Sequence, residues 1–155
     1  MNHELVMLRG IEYCKNSVKK LNEQCLRMAL GTFSAESYRE GTMGQAIDLA
    51  EICIKRDKFC RLLELVKTAL KNMPKGYRAL IISVYIKKTP KEALCAKYGV
   101  SLSTVYRKLN LARECFKSKL LLLGCDEQWF ADTYGNTEWV NAMLSRSRNG
   151  ARITT

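Results

Sequence analysis

The sequence predicts an all-α protein: an N-terminal antiparallel helical hairpin, then a helix-turn-helix, then short C-terminal helices. Three observations carry that expectation. Apolar residues recur at alternating spacings of three and four through most of the first 73 residues, the period of a helix packed on another helix. Pro74 and Pro90 are the only prolines, so long helices are permitted almost everywhere. Two helix-start signals separated by a glycine then fall inside the most basic third of the chain.

The first helix is written as a narrow seam of Met7, Ile11, Cys14, Val18, Leu21, Cys25 and Met28. Gly31 opens the stretch GTFSAESYREGTMG, whose Gly, Ser and Thr content predicts a loop. A second helix is expected from Gln45 to Asn72, with Leu49, Ile52, Phe59, Leu63, Val66, Leu70 and Met73 along its seam and Arg56 interrupting it. Matching seams of similar length suggest an antiparallel hairpin or half of a dimeric bundle. The only histidine, His3, falls at what the sequence suggests is a frayed end.

From Met73 the pattern changes. Tyr77, Leu80, Ile81 and Val84 line one face of a helix ending near Ile86. Thr89-Pro90-Lys91-Glu92 follows, with Thr89 expected as N-cap, Pro90 in the first turn and Glu92 as the capping-box carboxylate. Gly99 ends that short helix, since glycine takes the left-handed conformation a tight turn demands. Ser101 caps the next helix, which runs toward Lys119 with Val105, Leu109, Ala112 and Phe116 inward. Short helix, glycine turn and second capped helix make the helix-turn-helix layout. Beyond it, Gln128-Trp129-Phe130 and Trp139-Val140 suggest two short helices around Tyr134-Gly135-Asn136, their tryptophans folded onto the core. From Ser145 the polar SRSRNGARITT is expected to be disordered. The expected divisions are therefore 1–72, a helical arm for oligomerisation or partner binding, 73–120, the helix-turn-helix, and 121–155, a short helical tail.

Charge says what the middle segment meets. Of the net +11, residues 1–72 carry 12 Lys/Arg against 9 Asp/Glu, residues 73–120 carry 11 against 2, and residues 121–155 carry 3 against 4. A basic face lacking its acidic half points to a polyanion. On the last helix of that segment, small hydroxyls at the N-terminus would let the backbone approach a groove, with longer donors behind them. The candidate DNA contacts are Lys88, Lys91, Ser101, Leu102, Ser103, Thr104, Tyr106, Arg107, Lys108 and Arg113. Arg107 is the expected base reader, its planar fork matching two acceptors of a guanine edge; Lys91 and Lys108 are the expected phosphate anchors.

Other chemistries find little support. The seven cysteines contain no C-x-x-C pair, so structural zinc is not expected and small buried hydrophobes are the simpler reading. With no histidine-based catalytic pair, Gly-rich phosphate loop or paired carboxylates in the sequence, neither an enzyme nor a cofactor is expected. The sequence shows no secretory signal and no apolar run near the ~20 residues of a membrane span, which predicts a cytoplasmic protein without a membrane partner.

Pro74, Tyr77-Arg78, Tyr85, Glu92, Gly99-Val100-Ser101, Ser103-Thr104-Val105, Leu109 and Ala112-Arg113 resemble region 4 of sigma-70-type factors, without a gap across residues 73–120. Where Cys95 stands the family usually has Ala, and where Thr89-Pro90 stand it often has Leu-Ser. The resemblance implies that the last helix of the segment lies in a major groove and that the preceding helices contact RNA polymerase. A promoter-melting domain rich in clustered aromatics is not evident: residues 1–72 hold only Tyr13, Phe33, Tyr38 and Phe59. In layout the chain is similar to the ArpU/RinA-like late transcription regulators of phages from low-GC Gram-positive bacteria. The expected function is a sequence-specific DNA-binding transcriptional regulator. A phage DNA-packaging or recombination accessory protein is the alternative. Duplex DNA is the expected partner, with RNA polymerase and a second copy, through the N-terminal helices, as further candidates.

Overall fold

The computed structural model describes residues 2–31 and 42–150, and among these every regular element is helical. In chain order these are α1 (His3–Gly31), α2 (Thr42–Lys71), α3 (Lys75–Ile81), α4 (Lys91–Tyr98), α5 (Leu102–Leu122), α6 (Glu127–Tyr134) and α7 (Glu138–Gly150). A π-helical turn over Ile82–Ile86 continues α3. The chain forms two compact units: Glu12–Glu64, and the residues up to Ile11 together with those from Leu65 onward. The division differs from boundaries at 72 and 120. The start of α1, the end of α2 and the segment after 120 belong with the third, fourth and fifth helices.

Within Glu12–Glu64 the two long helices run antiparallel. Tyr13 meets Phe59 edge-on at 6.1 Å, Arg56 Nη1 donates to Asn22 Oδ1 at 3.4 Å, and the Cys25 and Cys53 sulfurs approach to 3.8 Å. Numbers rise on one helix as they fall on the other. The anticipated seam is there, with Cys14 and Phe59 buried and Val18, Leu21, Cys25, Leu49, Ile52 and Leu63 half-buried. Arg56, the break in the seam, turns to Asp57 at 3.1 Å. The loop expected over residues 31–44 is shorter at both ends, since Gly31 still belongs to α1 and Thr42 already to α2; the rest of it lies outside the described residues.

The other unit holds the larger core, and the beginning of α1 is part of it. His3 is 2% exposed and Glu4 3%, and Leu5, Val6, Met7 and Leu8 are all buried, so this end is packed rather than frayed. Four consecutive apolar residues point around the whole helix, and a helix apolar all round belongs inside; the seam pattern counts Met7 alone among them. Cys125 Sγ donates to Met7 Sδ at 3.9 Å. Phe130 stacks on Tyr134 at 5.4 Å, and Tyr134 meets Trp139 edge-on at 6.4 Å. Trp139 is buried and Trp129 half-buried. The two short helices are α6 and α7, with Asp126 capping α6 through Trp129 N–H at 2.7 Å. Disorder from Ser145 is not what the structure shows: α7 continues to Gly150, its start anchored by buried Trp139 and Val140 and no proline stopping it. The final part of that expectation, residues 151–155, lies outside the described residues.

Gly10 is where this packing is tightest. A Cβ built there would come 2.7 Å from the Trp139 ring, so the indole seats against bare α1 backbone. On an exposed helix, Gly→Ala would gain about 1 kcal/mol of propensity. Here overpacking of about 1–3 kcal/mol opposes it. We expect Gly10→Ala to lower the melting temperature followed by circular dichroism; a rise would show that Trp139 does not sit there.

Candidate functional site

The site is built by α3, α4 and α5. The π-helical turn ends with Lys87 N–H donating to Ile82 O at 2.9 Å. Lys88 then takes a left-handed φ of 53°, which costs an L-residue on the order of 1 kcal/mol. The start of α4 differs from the expected capping box. Pro90, not Thr89, is the N-cap residue, and no side chain caps α4. Ala93 and Leu94 N–H donate to the Pro90 carbonyl at 3.1 and 3.3 Å. Proline disfavours helical dihedrals in the residue before it, so Thr89 stays outside and its N–H goes to Ser83 O at 2.8 Å.

Gly99 closes α4 with φ 63° and ψ 36°. Val100 N–H reaches back to Cys95 O at 3.2 Å, the long bond of a Schellman ending. Ser101, extended at φ −71° and ψ 159°, then caps α5 by accepting from Thr104 N–H at 3.3 Å. Its hydroxyl also lies 3.1 Å from that of Ser103 and 2.9 Å from that of Thr104.

The rotation of α5 follows from what it buries: Val105, Leu109, Ala112, Phe116 and Leu120. At about 100° per residue, the opposite line is Ser103, Arg107, Asn110 and Glu114, all exposed. Tyr106 lies on one flank, and Thr104, Lys108 and Leu111 on the other. Lys91 brings its ammonium 4.7 Å from the centre of the Tyr106 ring, joining the first residue of α4 to this flank of α5. Leu102 is exposed at the first turn of α5, and Lys88 in the segment before α4.

Arg113 departs from the sequence-based set. Only 24% of its side chain is exposed, with Nη2 3.9 Å from the buried Glu4 carboxylate and Nη1 donating to Asn110 Oδ1 at 3.3 Å. It is the counter-charge of Glu4. Nearby, burial pushes the Tyr85 phenol up, while Arg113 and Arg9 pull it down.

Sequence reasoning missed a groove between α3 and α5. Its volume is about 690 Å³, and Lys75, Tyr77, Leu80, Tyr98, Val105, Arg107 and Leu111 are among its lining residues. Tyr98 and Leu111 are 47% and 51% exposed. Leu111 is the available signal, an apolar residue off the spacing of the buried stripe. Tyr77, expected inward, is half-buried along this groove.

No group of three or more His, Cys, Asp or Glu among the described residues could hold a metal ion, and no described helix is long and apolar enough to cross a membrane. Comparison with known protein families, curated proteins and solved structures finds no match for this chain.

The two helix starts give a paired stability test. Ser101→Ala should cost about 1 kcal/mol by removing the α5 cap. Thr89→Ala should stay within about 0.5 kcal/mol, since Thr89 caps nothing. Urea unfolding of both variants checks this; equal losses would return Thr89 to the capping position.

Proposed function

We propose that this chain is a sequence-specific DNA-binding transcriptional regulator in which α4, the Gly99 turn and α5 act as a helix-turn-helix. The observation that carries the reading is the outward line of α5. Ser103 and Arg107 occupy its N-terminal two turns, with Thr104 and Lys108 on one flank and the Lys91–Tyr106 pair on the other. Small hydroxyls at a helix N-terminus followed by a long planar donor suit entry into a major groove. The +9 of residues 73–120, eleven basic against two acidic, supplies the attraction to phosphate. The resemblance to sigma-70 region 4 supports the same reading and adds RNA polymerase as a proposed contact of the preceding helices. In this reading the protein works inside the cell, where its DNA is.

Roles divide by position. Arg107 reads base edges from the centre of the face, while Lys108 and Lys91 touch the backbone. Arg107→Ala should cost about 1–3 kcal/mol on the cognate site and relax selectivity at one base pair. Lys108→Ala should weaken cognate and random duplexes alike and shallow the log–log salt slope by about 0.9. Lys91→Ala is the less clean phosphate probe because it also frees the Tyr106 ring. Competition binding against a randomised site, repeated at several salt concentrations, decides between roles. An Arg107→Ala protein that keeps every wild-type base preference would refute the reader assignment, and a flat salt response in the wild type would refute DNA binding by this face.

We assign the Glu12–Glu64 arm to pairing with a second copy. Met43, Ile47 and Ile54 are exposed, and with Ala50 they fall at spacings of four, three and four, within a band about 60° wide on α2. That spacing is what a partner helix requires. Two modules held together would read two half-sites, as dimeric readers of this kind do. Sedimentation of the wild type should give a dimer, and Ile47→Glu with Ile54→Glu should give a monomer of unchanged helicity. A monomeric wild type at tens of micromolar would exclude the assignment.

A further inference from the structure

Cys25 and Cys53 do not fit the role of scattered small hydrophobes. They face one another across the antiparallel helices of the arm with sulfurs 3.8 Å apart, and both are half-buried. A disulfide needs sulfurs at about 2.05 Å, so closure asks for about 1.8 Å of approach. Rotation about the two Cα–Cβ bonds and a small slide of one helix can supply it. The Arg56–Asn22 bond and the Tyr13–Phe59 contact hold the register on one side of the pair. Both residues keep part of their surface exposed.

We infer that Cys25 and Cys53 form a redox-active dithiol that closes to an intramolecular disulfide, with a low-molecular-weight disulfide such as oxidised glutathione as the oxidant. The thiolate of one cysteine attacks a glutathione sulfur, making a mixed disulfide and releasing one glutathione. The thiolate of the other attacks the protein sulfur of that adduct, forming the Cys25–Cys53 bond and releasing the second. Two electrons pass from the protein thiols to the oxidant, and the two thiol protons end on the two glutathiones released. Burial first, then Cys53 and Asp57, push the Cys25 thiol up, with Arg56 opposing; closure therefore quickens as pH rises and more thiolate forms.

The product ties α1 to α2 at one rung of the arm. Each cysteine is followed in the chain by an exposed apolar residue, Leu26 and Ile54, so the bond also fixes the spacing of those two side chains. The dithiol itself does not depend on what the arm binds.

Tryptic mapping of the full chain tests this directly. Cleavage after Lys20 and Arg27 isolates Cys25 in LNEQCLR, and cleavage after Arg39 and Lys55 isolates Cys53 in residues 40–55, neither holding a second cysteine. After incubation with oxidised glutathione, acid quenching and alkylation, the two peptides should appear joined, lighter by two hydrogens than their sum, and dithiothreitol should separate them. Cys25→Ser should abolish the joined species and leave a glutathione adduct on Cys53. The oxidised wild type should melt at a higher temperature than the reduced protein, a shift that Cys25→Ser lacks. Recovery of Cys25 and Cys53 as free thiols, as two separate end-point adducts, or joined to other cysteines would overturn the inference, and the wild-type map alone decides it without any variant.

Discussion

Burial of one stripe of α5 is the constraint on which the candidate site depends. Val105, Leu109, Ala112, Phe116 and Leu120 share one side of a 21-residue helix and are all inaccessible. Rotating α5 by one residue, about 100°, would withdraw most of that stripe from the core. It would also expose Phe116, a loss of several kcal/mol at the usual cost of emptying an aromatic site. No surface interaction of Arg107 or Ser103 approaches that magnitude. The outward line is therefore set by the inward one. Gly99 adds the second half of the constraint, since its left-handed backbone lets α4 end at Tyr98 and α5 begin at Leu102.

The start of α1 shows how the same unit tolerates charge inside. Glu4 is nearly inaccessible, and its carboxylate sits beside Arg113 and the His3 ring, at 3.9 and 3.8 Å. Burying a lone carboxylate is costly, whereas a paired one is tolerated. Arg113 thus works as part of the fold. With Arg113 withdrawn from the outer face, Arg107, Lys108 and Lys117 are the exposed basic residues of α5.

Helix periodicity makes most of this architecture legible. The buried residues of α5, the glycine turn and the Ser101 cap follow from spacing and turn chemistry alone, because each is a local property of a few adjacent residues. What stays hidden is set by distant parts of the chain. Nothing near Arg113 in sequence announces Glu4, more than a hundred residues before it, and Tyr106 looks like a free outward ring until Lys91 is placed over it. The seam of α1 is readable, but its first turns are not, since counting one face ignores neighbours that pack on the others. Thr89 is ambiguous for a local reason: two adjacent residues could each open α4, and the proline's effect on its predecessor decides between them. Cys25 and Cys53 are visible only as seam residues, because their meeting depends on the register between two helices.

Electrostatics along α5 limits how the proposed reader can sit on a duplex. Glu114 shares the outward line with Arg107, seven residues farther on and about 10 Å along the axis, and it is exposed. A carboxylate at that point repels the phosphate backbone over roughly one Debye length, about 8 Å at physiological salt. A helix lying flat in the groove would bring Glu114 against a strand. A helix entering by its N-terminus keeps Glu114 at the rim and places Ser103 and Arg107 deepest, with the positive end of the helix dipole leading. In the proposed reading the acidic residue therefore selects the tilt of α5, and the buried stripe selects its rotation. Between them the two leave Arg107 as the long side chain at the centre of the face, which is what a single base-reading arginine needs.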